Sequence, residues 1–152
     1  MQDNVIKGAE EFSAAGVKVG IVVAQFNKDI TEALLEDARQ EADRRGISPE
    51  DITVKSVAGS VEIPVVLQAM AKSNKFDCLV ALGAVIRGET VHFEYVSKLA
   101  AEGISRVSLD NNIPIGFGVL MCETKDQALK RIHSGGEALS AALSAYRACK
   151  EL

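Results

Sequence analysis

"LGAVIRGETVHFEYV", residues 82–96, opens as an unbroken apolar run and closes with the spacing of an amphipathic helix. The run reaches back to Asp77. "DCLVALGAVI" (77–86) is the most apolar stretch of the chain, short enough for a strand and too greasy to face water on either side. Such a strand belongs in the middle of a parallel sheet, and parallel neighbours require crossover connections, usually helices. "TVHFEYVSKLAAEG" (90–103) is the predicted crossover, capped by Thr90 and stopped by Gly103. Between strand and helix crowd Gly83, Arg87, Gly88, Glu89, Thr90 and His92, one of only two histidines in the chain. A bare connection needs no such collection. A small-molecule site does.

Working outward, the same strand–helix alternation recurs. "VKVGIVVA" (17–24) predicts a second buried strand, followed by a helix in "DITEALLEDARQEADRRG" (29–46). There Asp29 and Glu32 form a capping-box pattern, and Ile30, Leu34, Ala38 and Ala42 share a face. Arg44 and Arg45 fill the last turn, and Gly46 ends it. "DITVKSV" (51–57) predicts a strand and "EIPVVLQAMAKS" (62–73) a helix with Pro64 in its first turn. "ISRVSL" (104–109) and "IPIGFGVLM" (113–121) predict two further strands around a "DNN" turn. "TKDQALKRI" opens a helix with a second capping box, Thr124 to Gln127. The Gly135–Gly136 pair interrupts it, and "EALSAALSAYRACKEL" resumes it. The pattern predicts an α/β fold in one domain spanning 1–152. It has three layers, αβα, around a mostly parallel sheet of four or five strands, with residues 1–16 as an N-terminal arm. Ligands of such sheets sit beyond the carboxyl ends of the strands. The loops "AQFNKD", "VAGSVE", "GAVIRGETVH" and "LMCETK" therefore hold the candidates.

The totals narrow the function. With 152 residues, 47% hydrophobic and 25% charged, the chain is expected to be an ordinary globule. A net charge of −4 argues against a nucleic-acid partner and against an anionic membrane surface. No apolar run reaches the roughly 20 residues that cross a bilayer, and no signal peptide is expected. Three well-separated cysteines, Cys78, Cys122 and Cys149, read as reduced packing residues of a cytoplasmic protein.

Each candidate residue carries two readings. His92 falls in the first turn of its helix, where free N–H groups favour an anion and disfavour a second positive charge, leaving the imidazole available for proton transfer. It equally suits a histidine that only hydrogen-bonds a loop carbonyl. "RGET" (87–90) offers backbone N–H groups opened by Gly88 and a threonine hydroxyl, a combination that suits phosphate, provided Glu89 points away. Gly-rich turns of this kind are also common without a ligand, and this one matches neither the P-loop nor the dinucleotide fingerprint. Phe26 in "AQFN" either stacks on a planar heterocycle or plugs the core. Glu62 in "GSVEIP" either pairs with a helix start or accepts hydrogen bonds from a polyol, with Gly59 giving close backbone approach. Arg131 reads locally as a solvated face residue.

Taken together, "QFN" (25–27), "GSVEIP" (59–64) and "LGAVIRGETVHFEYV" (82–96) resemble the 6,7-dimethyl-8-ribityllumazine synthase family. "FGVL" (117–120) and "QALKR" (127–131) follow in the expected order, so the likeness runs from about residue 17 to residue 131. The resemblance implies a flavodoxin-like fold and an enzyme of riboflavin biosynthesis. That enzyme condenses 5-amino-6-(D-ribitylamino)uracil with 3,4-dihydroxy-2-butanone 4-phosphate and releases phosphate. Phe26 would stack on the pyrimidine, and Ser60, Val61 and Glu62 would bind the ribityl chain. Val61 stands where an aromatic is common. Ala84, Val85 and Ile86 would line the ring edge. Gly88, Glu89 and Thr90 would receive the phosphate, and His92 would transfer protons. Residues matching Phe117 and Arg131 come from a neighbouring subunit, the arginine gripping the phosphate. The resemblance thus implies self-association into pentamers and leaves a 60-subunit shell open. It implies no cofactor and no metal. After Arg131 the chain departs from the pattern: "IHSGGEAL" is short and lacks the basic residues common there.

The chemistry fits these residues, since imine formation, phosphate loss and ring closure need orientation and proton transfer more than a strong nucleophile. Two rivals share the scaffold. A riboflavin synthase of the related type would act on two lumazines and leave Arg87–Thr90 without a role. A non-catalytic flavin- or lumazine-binding cage would need neither His92 nor Arg131.

Overall fold

The computed structural model describes residues 12–152; residues 1–11, most of the expected arm, lie outside the described residues. β1 (Val19–Ala24), β2 (Ile52–Val57), β3 (Cys78–Ile86) and β4 (Ile115–Cys122) pair in parallel in the order β2-β1-β3-β4. The helices are α1 (Lys28–Arg44), α2 (Ile63–Lys72), α3 (His92–Asn111), α4 (Lys125–Leu129) and α5 (Ser134–Lys150). Short 3₁₀ turns at Pro49–Asp51 and Ser60–Glu62 precede β2 and α2.

Side chains alternate across the sheet with the period of two that a strand imposes. Val19, Ile21 and Val23 of β1 join Val80 and Leu82 of β3 in a core with Leu34 and Ala38 of α1 and Leu139 and Leu143 of α5. Val22, Leu79 and Ala81 face the other way, against Ile63 and Leu67 of α2 and Ile104 and Val107 of α3. The result is the expected α/β sandwich of three layers. Part of the expected arm packs on this body: Ala14 is buried, and its N–H donates to the Arg45 carbonyl at 2.7 Å. Arg45, itself buried, lies with its guanidinium 4.7 Å from the Phe12 ring centroid and donates to the Ser140 hydroxyl.

Five features differ from the sequence reading. "ISRVSL" is not a strand but the second half of α3, so the sheet has four strands among the described residues. Ala100, Ile104 and Val107 fall on one buried face at helical spacing, which the β-branched composition concealed. Gly103 does not stop the helix. It marks where α3 crosses α2, since a Cβ there would stand 2.6 Å from Pro64 Cγ. The Asp29–Glu32 capping box is absent: α1 begins at Lys28 behind Asn27, with no side-chain cap, and Asp29 instead pairs with Lys125 at 2.6 Å. The box from Thr124 to Gln127 does form. Lastly, Gly135 and Gly136 lie inside α5, and the break falls at 130–133. Cys149 is exposed, whereas Cys78 and Cys122 are packing residues as expected.

The glycine pair is there for contact with α1. A Cβ at Gly135 would come within 2.0 Å of the Leu34 carbonyl oxygen, and the Gly136 N–H donates to Asp37 Oδ2 at 2.7 Å. Neither backbone can yield without moving a helix. Gly135→Ala is therefore expected to cost about 3 kcal/mol, the upper range for overpacking. Thermal unfolding at matched protomer concentration checks this; an unchanged Tm would refute the contact.

Candidate active site

The chain leaves β1 for β2 on one side and returns to pair β3 on the other, so the strand order turns back between β1 and β3. A crevice opens beyond the carboxyl ends at such a point. Asn27 spans it. It adopts the left-handed conformation (φ 60°) that asparagine tolerates, and its Nδ2 donates to the Ala84 carbonyl at 2.9 Å. The Gln25 and Phe26 N–H groups donate to the carbonyls of Val57 and Ala58. With its backbone pinned on both sides, Phe26 turns its ring outward, 72% exposed. The core-plug reading of Phe26 fails.

Across the crevice, Ser60 is buried over β3. A Cβ at Gly83 would stand 2.6 Å from Ser60 Oγ, so glycine there permits this approach. Val61 and Glu62 are exposed beside it, and the turn that carries them packs against α3. Ala84 and Val85 put their side chains into the two opposite cores, which leaves their backbone and the half-buried Ile86 to face a ligand.

The third segment is the loop from Gly88 to Val91. Among the described residues, its four backbone N–H groups make no hydrogen bond, and it leads into the 20-residue α3. Space over Gly88 is open. The Thr90 hydroxyl oxygen accepts from the His92 N–H at 3.3 Å, leaving its own proton for an acceptor outside the chain. His92, the first residue of α3, is exposed. Free N–H groups, a spare hydroxyl proton and a helix start lie together here, the groups that suit an anion.

Arg87 brackets this loop. Its Nη1 lies 2.6 Å from Glu94 Oε1, its Nε lies 2.8 Å from Glu123 Oε2, and its guanidinium covers the Phe93 ring at 4.6 Å. The hydrogen bond from Arg87 holds the Glu94 carboxyl below its ordinary range, and the two carboxylates raise the guanidinium's value in turn. Sequence reasoning did not single out Asn27, Glu94 or Glu123. Their only traces were the "QFN" block, the acidic position after His-Phe and the "LMCETK" loop.

Phe117 and Arg131 stand apart. Phe117 pairs with Ala81 in register, five residues before Ile86, so it sits about 16 Å back from the loop edge at the spacing of a parallel strand. It is 45% exposed on β4, an edge strand. Arg131 follows α4, exposed, with Nη1 donating to the Gln127 carbonyl at 2.8 Å. Two hollows lie away from the crevice. One of about 320 Å³ is lined by Phe76, Asn112 and Tyr146 near the amino ends of the strands, and one of about 440 Å³ lies on α1. Among the described residues, no group of three His, Cys, Asp or Glu is placed to hold a metal ion, and no helix is long and apolar enough to cross a membrane. Burial pushes the Cys78 thiol up to about 12, which removes it as a nucleophile near neutrality.

The 6,7-dimethyl-8-ribityllumazine synthase family model matches residues 16–150. The chain belongs to this family. It is 49% identical over 134 residues to the 6,7-dimethyl-8-ribityllumazine synthase of Azoarcus sp. (strain BH72), covering 88% of this chain and 86% of the relative. It is 45% identical over 133 residues to that of Chromobacterium violaceum, covering 87% and 86%. With that of Nitrosomonas europaea it shares 43% over 142 residues, covering 93% and 87%. The matched region takes in all three segments of the crevice.

The Arg87–Glu94 pair has a definite pH signature. Glu94 is depressed from its ordinary 4.5, so the pair's contribution is complete above 4.5 and lost only as pH falls through the lower folded value. A carboxyl NMR titration should place the Glu94 midpoint below 4.5, and Arg87→Ala should return it toward 4.5. A midpoint at 4.5 with Arg87 intact means the pair does not persist in solution.

Proposed function

We propose that the three segments form the two substrate seats of a lumazine synthase, the pyrimidine at Phe26 and the phosphate at the Gly88–Val91 loop. The enzyme condenses 5-amino-6-(D-ribitylamino)uracil with 3,4-dihydroxy-2-butanone 4-phosphate, the activity of its family. The observation that carries the assignment of seats is the set of unbonded N–H groups at 88–91 beside Thr90 and His92, across the crevice from an exposed Phe26 ring. Stacking on Phe26 fixes the heterocycle, and Ser60, Val61 and Glu62 follow the ribityl chain. Val61 provides a thinner wall than an aromatic would. The backbone of Ala84 and Val85, with Ile86, meets the ring edge.

The amine attacks the butanone carbonyl and one water leaves as the imine forms. Loss of the C3 proton and of inorganic phosphate leaves an enol, which tautomerises to a ketone, and the ribitylamino nitrogen closes the ring on that ketone with loss of a second water. Every step moves a proton, and His92 at the head of α3 is the group placed to accept and return it. Gly88, Glu89 and Thr90 hold the phosphate through their N–H groups and the threonine hydroxyl, which also stabilises the charge it carries away.

The site is completed by a neighbour in a pentamer. In support, Val91 at the head of α3 and Tyr95 and Leu99 on it form an exposed apolar stripe at helical spacing, and Phe117 and Met121 lie exposed on edge strand β4. Phe117 is too far from its own crevice, and Arg131 is uncommitted to its own loop. Each protomer thus lends both residues to the next, Arg131 meeting the phosphate. Whether pentamers close further into a shell turns on the short 130–133 connection. The buried, unpaired Cys78 and Cys122 support a cytoplasmic setting.

Phe26→Ala should weaken pyrimidine binding by about 1–3 kcal/mol, the scale of aromatic–base stacking, and leave the butanone phosphate almost unaffected. Equal loss for both substrates, measured by KM, would make Phe26 a fold residue instead.

His92→Ala should lower kcat roughly 100-fold with the fold intact. Co-refolded in equal amounts with Arg131→Ala, it should recover about a quarter of wild-type turnover, because random assembly of a cyclic ring restores that share of interfaces. Intact rings that never recover activity would sink the shared site.

A further inference from the structure

We propose that Arg87 is a positioning residue for the phosphate loop, acting through Glu94 and Glu123 rather than by gripping phosphate itself. The inference rests on the reading of 88–91 as the phosphate seat. Four residues of loop are strung between Arg87 and His92, and one residue, Arg87, clamps both ends. The Arg87 backbone N–H donates to the Cys122 carbonyl at 2.9 Å, which fixes the loop's start to β4. Its guanidinium reaches forward to Glu94 in the first turn of α3, and its face lies on Phe93, which fixes the loop's end. With both ends held, the N–H groups between them have less freedom to turn away from a ligand.

The second carboxylate extends the brace. Glu123 takes Arg87 Nε at 2.8 Å, and its own N–H donates to Gln127 Oε1 at 2.9 Å. Gln127 closes the capping box of α4 with Thr124, and its carbonyl accepts from Arg131. A continuous chain of polar contacts therefore joins the loop of one protomer to the arginine it would offer a neighbour. Arg87 suits this task where lysine would not, since a planar guanidinium meets two carboxylates and a ring at once. Direct binding of phosphate by Arg87 is poorly served by the same geometry, because two carboxylates flank it and each repels the ligand.

The two roles predict opposite signs for one experiment. The assembled protein, wild type and the double variant Glu94→Gln/Glu123→Gln, is assayed for kcat, for both KM values and for competitive inhibition by inorganic phosphate. Removing two negative charges beside the seat should tighten phosphate binding on electrostatic grounds. Positioning predicts the reverse: about a tenfold rise in KM for the butanone phosphate and in Ki for inorganic phosphate. The pyrimidine KM should stay within about twofold, as should kcat. Unchanged or tighter phosphate binding overturns the proposal. Should the double variant fail to assemble, Arg87→Lys decides. It keeps the charge but cannot span both carboxylates, so a rise of about fivefold in the same two constants is expected and none would overturn it. The wild-type arm tests the underlying reading separately: absence of competition by phosphate there removes the seat itself, whatever the variants do.

Discussion

Parallel pairing of β1, β3 and β4 is the constraint from which the site follows. A parallel strand cannot return by a hairpin, so each must hand over to a crossover at the same edge of the sheet. Four handovers therefore gather at one rim, and the reversal of order between β1 and β3 parts two of them. β3 fixes the depth of that rim. From Cys78 to Val85 its side chains are buried, alternating between two cores, so a shift by one residue would exchange the faces of every one of them. The same register brings Ser60 over Gly83 and Asn27 to the Ala84 carbonyl. Cores and crevice are set by one alignment.

Much of this was legible in the sequence because the signals were of the strongest kind. Buried parallel strands read as continuous apolar runs, and all four strands of the sheet were bounded to within a residue or two. The segments that carry the candidate site residues of β1, β2 and β3 follow directly from those strand ends. What failed was the reading of single residues as punctuation. Gly103 and the Gly135–Gly136 pair look like stops, yet each is a place where another backbone or ring comes too close for a Cβ. Local pattern cannot distinguish a glycine needed for its freedom from one needed for its smallness. Asp29 failed for a similar reason: its partner, Lys125, is distant in sequence, and a tertiary ion pair displaced the local cap.

The brace around Arg87 was invisible for a third reason. Charged residues near a loop read as solvated, and nothing in "RGETVHFE" says that Arg87 folds back over Phe93 to reach Glu94. Glu123 arrives only when β4 pairs with β3, through the register of Ile86 with Cys122. Electrostatic arrangements assembled from several elements are products of the fold. The sequence holds their members but not their geometry.

An exposed pair such as Arg87 and Glu94 contributes little to global stability, since solvent screens it and two side chains must be ordered to form it. Its value lies in what ordering does to the loop between its anchors. A phosphate bound by backbone N–H groups gains only when those groups already point at it, because otherwise binding must supply the cost of ordering them. Phe26 faces the related problem. A ring 72% exposed contributes its full stacking only once water is excluded around the heterocycle, and in the single protomer that ring lies open. In the proposed ring both needs are met at the same surface, where Phe117 and Arg131 of one copy meet the crevice of the next. Loosening that surface would then raise the KM of both substrates together, even when the substitution touches neither, so contact strength and substrate affinity are one property of such an assembly.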